Sequence, residues 1–110
     1  IVKINGRVDA FNFEAFCQEI LPFARDFSRL FIFEASRLEF LGLRTMKLLG
    51  EIAADRSQHG RRPFLISPSE KLKKQIAIYA DIEDWEVFRN FDEFQRYLEN
   101  PPAQMGEVLV

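Results

Sequence analysis

Hydrophobic and polar positions change period several times along the chain. Ile1 to Val8 alternates, with Lys3 and Asn5 opposing Ile1 and Ile4 and a turn at Gly6, and this predicts a short strand. From about Phe11 the apolar residues Phe13, Phe16, Cys17, Ile20, Leu21 and Ala24 fall on one helical stripe opposite Glu14, Gln18, Glu19 and Arg25. Pro22 lacks a backbone donor, so this helix is expected to kink or end near Leu21. Leu30 to Phe33 is a continuous apolar run, suited to a strand covered on both faces. After a link from Ala35 to Leu41, a second helical stripe carries Leu43, Met46, Leu49, Ile52 and Ala53, with Lys47, Glu51 and Asp55 outward, and closes near His59-Gly60.

Pro63 to Ile66 reads as a third strand. In Ser67-Pro68-Ser69-Glu70, Ser67 is the expected cap, Pro68 the first helical residue and Glu70 the reciprocal capping partner. Leu72, Ile76, Tyr79 and Ala80 form the apolar face of that helix, and Lys71, Lys73 and Lys74 solvate it. Trp85 to Phe88 is a fourth strand. Asn90 then caps a last helix that turns Phe94, Tyr97 and Leu98 inward, with Glu93 three residues after the cap. Four strands alternating with four helices predict an α/β fold around a small, mostly parallel sheet with right-handed crossovers. Residues 1–100 form one domain on this reading. Pro101-Pro102 ends the last helix and 101–110 is a tail or linker, whose Glu107 to Val110 is apolar enough to pair with a sheet edge.

Composition narrows the function classes. A 110-residue chain, 47% hydrophobic and 29% charged, has the make-up of one globular domain. Net charge −2 gives no basic field for a polyanion, so nucleic acid is not an expected partner. Twelve Phe against one Trp and two Tyr give a core rich in apolar burial, with an interface as the alternative use of some rings. Cys17 is the only cysteine, which excludes an internal disulfide and points to a reducing, cytoplasmic compartment. No stretch approaches the roughly 20 apolar residues of a membrane span, so direct insertion is not expected. The chain opens in strand-like sequence without Met and reads as a fragment or a trimmed chain.

Enzyme chemistry finds no footing. Cys17 and His59 are too few for a metal site. The carboxylates Asp81, Glu83, Asp84 and Glu86 around Trp85 have neither a nucleophile nor a metal set beside them. Without a Gly-rich phosphate loop, no cofactor is expected. His59 is placed at a helix end that favours a cation, and Lys71, Lys73, Lys74, Arg61 and Arg62 make a mild basic stretch.

Four segments in order resemble the STAS family, the anti-sigma-factor-antagonist fold. Val2-Lys3-Ile4-Asn5-Gly6-Arg7-Val8-Asp9 resembles its opening strand and Gly-x-hydrophobic-Asp turn. Phe31 to Leu41 resembles its central strand and following turn. Gly60 to Ser69 resembles the next strand with its Ser-Pro turn. Asp81 to Phe88, with Asp92-Glu93-Phe94, resembles the closing strand and last helix. The resemblance implies a non-enzymatic regulatory protein–protein interaction module in signal transduction and transcription regulation. Its partner would be an anti-sigma-factor or kinase-like protein, a second copy of the chain being the other candidate. The implied binding surface comprises Asp9, Leu41, Gly42, Leu43, Arg44, Thr45 and Lys47. Alternatives are a STAS-like accessory subunit of a lipid-exporting ABC transporter and a nucleotide or small-molecule sensor domain.

The family's Asp-Ser-x-Gly-Leu motif departs most. An ungapped reading from Phe40 puts Leu43 at the phosphorylated serine, and leucine has no hydroxyl. Thr45, two residues on, is then either a displaced phosphosite or a local backbone hydrogen-bond partner. Phe40-Leu41-Gly42-Leu43 is either an apolar docking patch, or a core segment with Leu41 alone exposed. Gly42 suits a tight turn or a close partner approach, and Asp9 either shapes the surface or holds a turn.

Overall fold

The residues expected as one opening strand fall into two short arms, and the segment from Ile32 to Leu41 does likewise. The computed structural model describes residues 2–3, 6–79 and 81–99. In chain order the elements are β1 (Val2–Lys3), β2 (Gly6–Val8), α1 (Phe13–Ala24), β3 (Ile32–Glu34), β4 (Leu38–Leu41), α2 (Leu43–Gln58), β5 (Phe64–Ile66), α3 (Glu70–Tyr79), a single 3-10 turn at Ile82–Asp84, β6 (Glu86–Phe88) and α4 (Phe91–Glu99). The main sheet has the order β1-β3-β5-β6 with every pairing parallel, and the second arms pair as β2-β4, also parallel. Gly6 begins β2 at φ +92°, a conformation that L side chains resist, and its amide bonds to the Arg37 carbonyl. The expected α/β architecture, a four-stranded parallel sheet with four helices, is the one observed. The segment Leu38 to Leu41, expected as a link, is instead a strand.

Because each βαβ unit steps one strand in the same direction, right-handed crossovers leave α1, α2 and α3 on a single face. There Phe16, Ile20 and Ala24 meet Met46, Leu49, Ile52 and Ala53 of α2 and Leu72 and Ile76 of α3, over Phe33, Leu65 and Trp85. On the other face, among the described residues, α4 is the covering helix, and its Phe94 and Tyr97 pack on Phe64, Ile66 and Phe88. Ring centroids in that layer lie 5.2 to 6.0 Å apart in tilted and edge-on arrangements. All three β5 residues are buried because this strand is covered on both faces.

Several local expectations are corrected. Of the two outcomes expected at Pro22, an end near Leu21 is excluded, since α1 runs on to Ala24: only the Gln18 carbonyl loses its helical donor there, Gln18 faces solvent, and Arg25 N still reaches Leu21 O at 3.0 Å. Ser69, not Ser67, caps α3, its Oγ accepting from Leu72 N at 3.0 Å; Ser67 stands outside the helix in a left-handed turn, φ 58°. Trp85 precedes β6, and Leu98 is exposed. Asn90 does cap α4, its Oδ1 accepting from Glu93 N at 2.8 Å. The roles expected of Ile1, Ile4, Asn5, Ala80, the Tyr79 side chain and the tail 101–110 lie outside the described residues.

One buried charge sits in this frame. Arg56, 1% exposed, follows the apolar stripe of α2 into the core. Its guanidinium donates to the carbonyls of Ala24 (2.9 Å), Asp26 (3.3 Å), Arg29 (2.5 Å) and Arg61 (3.0 Å), tying the end of α1 and the loop after it to the end of α2. Burial lowers its pKa, helped by the nearby Arg61 charge and opposed by Asp26. Carbonyl oxygens replace most of the water the cation has lost.

Candidate functional site

Where β2 and β4 end side by side, their loops enter α1 and α2 and build one corner. Gly42 N donates to Val8 O at 2.7 Å, which fastens the start of α2 to the end of β2. The loop after Val8 is closed by side chains. Asp9 Oδ1 accepts from Phe11 N at 3.0 Å, Asn12 Oδ1 from Asp9 N at 2.8 Å, and Asn12 Nδ2 donates to Arg7 O at 2.9 Å. These bonds fix the backbone on both sides of Phe11 and leave its ring 99% exposed. Phe40 and Leu43, 40% and 47% exposed, stand beside it. The groove between them has a volume of about 450 Å3 and is lined by Arg7, Asp9, Ala10, Phe11, Phe13, Phe40, Gly42, Leu43, Arg44 and Thr45.

Two guanidinium groups lie on these rings, Arg7 5.0 Å from the Phe40 centroid and Arg44 4.4 Å from that of Phe13. Arg7 also approaches Asp9, Nε to Oδ2 at 3.5 Å. Among the described residues no carboxylate lies within ion-pair distance of Arg44. The first turn of α2 carries no acidic side chain, and Gly42 supplies no side-chain cap. A local excess of positive charge therefore borders an apolar groove in a chain of net charge −2.

Of the residues expected at the surface, Asp9, Gly42, Leu43 and Arg44 meet at this groove. Lys47 is exposed one turn further along α2 and does not line it. Leu41 must be corrected, and Thr45 lines the groove while almost wholly buried. Leu41 ends β4 inside the core, and Thr45 is 1% exposed. Thr45 stands four, seven and eleven residues before Leu49, Ile52 and Arg56, all on the buried stripe, and this helical phase accounts for its burial. The alternative in which Phe40 and Leu43 are core and Leu41 alone is exposed is the reverse of what is observed. Gly42 has φ −68°, and an added Cβ would meet Val8 O at 3.4 Å, an ordinary contact, so its conformation does not demand glycine.

Phe11 and Arg7 were not singled out from sequence. A signal exists for the ring: Phe11 precedes Phe13 by two positions and so falls off the helical stripe that buries Phe16 and Ile20. Arg7 has no such signal, since its place beside Phe40 depends on the β2-β4 pairing.

The other candidates are accounted for structurally. His59 closes α2, its Nδ1 2.8 Å from Asp55 O and its ring stacked on Phe27 at 4.2 Å. Arg61 donates to Phe27 O and Ser28 O. Arg62 binds Glu86 and the carbonyls of Glu83 and Trp85, so both basic side chains and part of the acidic segment hold loops together. Cys17 is half-buried on α1. Among the described residues no three His, Cys, Asp or Glu side chains gather as a metal site, and no helix is long and apolar enough to cross a membrane. Comparison with known proteins returns no matching family model, no matching curated protein and no matching solved structure.

Proposed function

We propose that this chain is a non-enzymatic regulatory module that binds another protein through the corner at the start of α2. The reading treats it as a relative of the STAS anti-sigma-factor antagonists in which the modifiable serine is lost. One observation carries it: Phe11, Phe40 and Leu43 are exposed together around one groove at the start of α2, the corner that the family resemblance makes the expected partner surface. Apolar rings held outward by an ordered loop are costly in water unless something covers them.

Leucine at position 43 and the burial of Thr45 both favour binding that phosphorylation does not switch. A kinase must bring a hydroxyl to its own active site, and Thr45 would reach one only if the first turn of α2 opened. The reading brings a cytoplasmic setting with it, in keeping with the single free thiol of Cys17. A nucleotide sensor draws less support from the topology. Crossovers that all step one way leave β1, β3 and β5 without loops parting to opposite faces, and between β5 and β6, where they do part, Ser67 N bonds to Phe88 O at 2.9 Å.

The test is affinity capture from the native cell with the full chain and with a Phe11→Ser, Leu43→Ser variant of unchanged melting temperature, each also incubated with ATP and an anti-sigma-type kinase. A partner held by the full chain and lost by the variant, with no phosphate found on Thr45, is the expected result. Equal capture by both proteins, or stoichiometric phosphate on Thr45, overturns the reading.

A further inference from the structure

The chemistry of the groove says more than that something docks there. Its floor and walls are apolar, from Phe11, Phe13, Phe40 and Leu43, whereas its charged lining is two cations, Arg7 and Arg44, against the one carboxylate of Asp9. Arg7 and Arg44 lie against rings, which shields one side of each guanidinium and leaves N–H donors free to meet a carboxylate with paired hydrogen bonds. Arg7 already faces Asp9, but Arg44 has no carboxylate within 4 Å among the described residues. Lys47 continues the positive edge along α2, whose first turn holds no acid to oppose it.

We infer that the occupant is an acidic amphipathic segment of a partner protein. It would set one or two large apolar side chains between Phe11 and Leu43 and an Asp or Glu on Arg44. This inference rests on the docking reading above and narrows it to one partner chemistry. A second copy of the chain fits less well, because the corner would then face its own excess of positive charge across a two-fold axis, and like charges opposed there weaken association. A basic segment meets the same repulsion. The groove supplies the burial, and the arginines supply the choice between partners.

Two synthetic helical peptides test this, with the same Leu and Phe anchors at i, i+3, i+4 and i+7 and with every other exposed position Glu in one and Lys in the other. Each is titrated into the 15N-labelled full chain, with a dilution series of the chain alone as control. The Glu peptide is expected to shift the amides of Phe11, Leu43 and Arg44. Its affinity should fall about five-fold in Arg44→Gln, the loss of one exposed charge pair, and fall again as salt is raised. Phe11→Ser should weaken it further while the amide spectrum away from the corner stays unchanged. If the Lys peptide binds the same amides equally well, docking stands and the acidic occupant is wrong. Should those amides move with protein concentration alone, the occupant is a second copy and the inference also falls. If neither peptide moves them, the docking reading falls with the inference.

Discussion

Arg56 determines whether the end of α1 and the end of α2 remain joined. Its planar guanidinium reaches four carbonyls, of Ala24, Asp26, Arg29 and Arg61, and Arg61 adds two bonds of its own to Phe27 O and Ser28 O in the same loop. Replacing it by Met keeps most of the stem's volume and removes all four donors, leaving the carbonyls of Ala24, Asp26, Arg29 and Arg61 without that partner. A loss of about 3 kcal/mol or more is expected in urea unfolding, because each buried group left unpaired costs roughly 1–3 kcal/mol. Arg56→Lys should recover only part of it, since a single ammonium cannot span the fork. If the Met variant is as stable as the parent, the carbonyl cage contributes nothing. The stripe from Met46 through Leu49 and Ala53 reaches Arg56 at helical spacing, so its burial was legible in principle. Its partners were not: they are backbone oxygens, and backbone has no sequence signature.

At the scale of elements, periodicity located all four helices and the four strands of the main sheet, and it misjudged places where chemistry competes with pattern. Leu43 belongs by spacing to the stripe of α2, yet it is exposed while Thr45, two positions on, is buried. β4 was missed because its one strongly buried side chain, Leu41, leaves no alternation to detect. The cap of α4, by contrast, was readable from Asn90 and Glu93 and has a pH consequence. The hydrogen bond from Arg89, with smaller electrostatic contributions from Arg89 and Arg96, holds the Glu93 pKa below that of an ordinary glutamate. A group with a depressed folded-state pKa stabilises the fold above its unfolded value, and that contribution is lost as pH falls through the folded value. Carboxyl-carbon NMR titration should therefore place the Glu93 midpoint below that of a random-coil glutamate, with hydrogen exchange in the first turn of α4 quickening as it protonates. Glu93→Gln should remove that acid dependence. A midpoint at the ordinary value would rule the account out.

For the whole molecule, the one-way strand order has a mechanical consequence. Among the described residues three helices share the front face, whereas α4 closes the back, through Phe94 and Tyr97 on Phe64, Ile66 and Phe88. Removing the Phe94 ring should cost about 3–5 kcal/mol, the range for a large aromatic truncated in a core. The loss should also be uneven. β6 depends on the back layer and, among the described residues, has β5 as its only strand neighbour; α1 and α2 bury their apolar faces elsewhere. Native-state hydrogen exchange of Phe94→Ala should accordingly show α4 and β6 opening at lower free energy, with α1, α2 and β3 still exchanging only on global unfolding. Uniform loss of protection would mean that the two layers unfold as one unit. The predicted order matters for the docking corner, which is built from β2, β4, α1 and α2. Phe11, Leu43 and Arg44 should keep their native amide shifts while the opposite layer loosens, because nothing in α4 lines their groove.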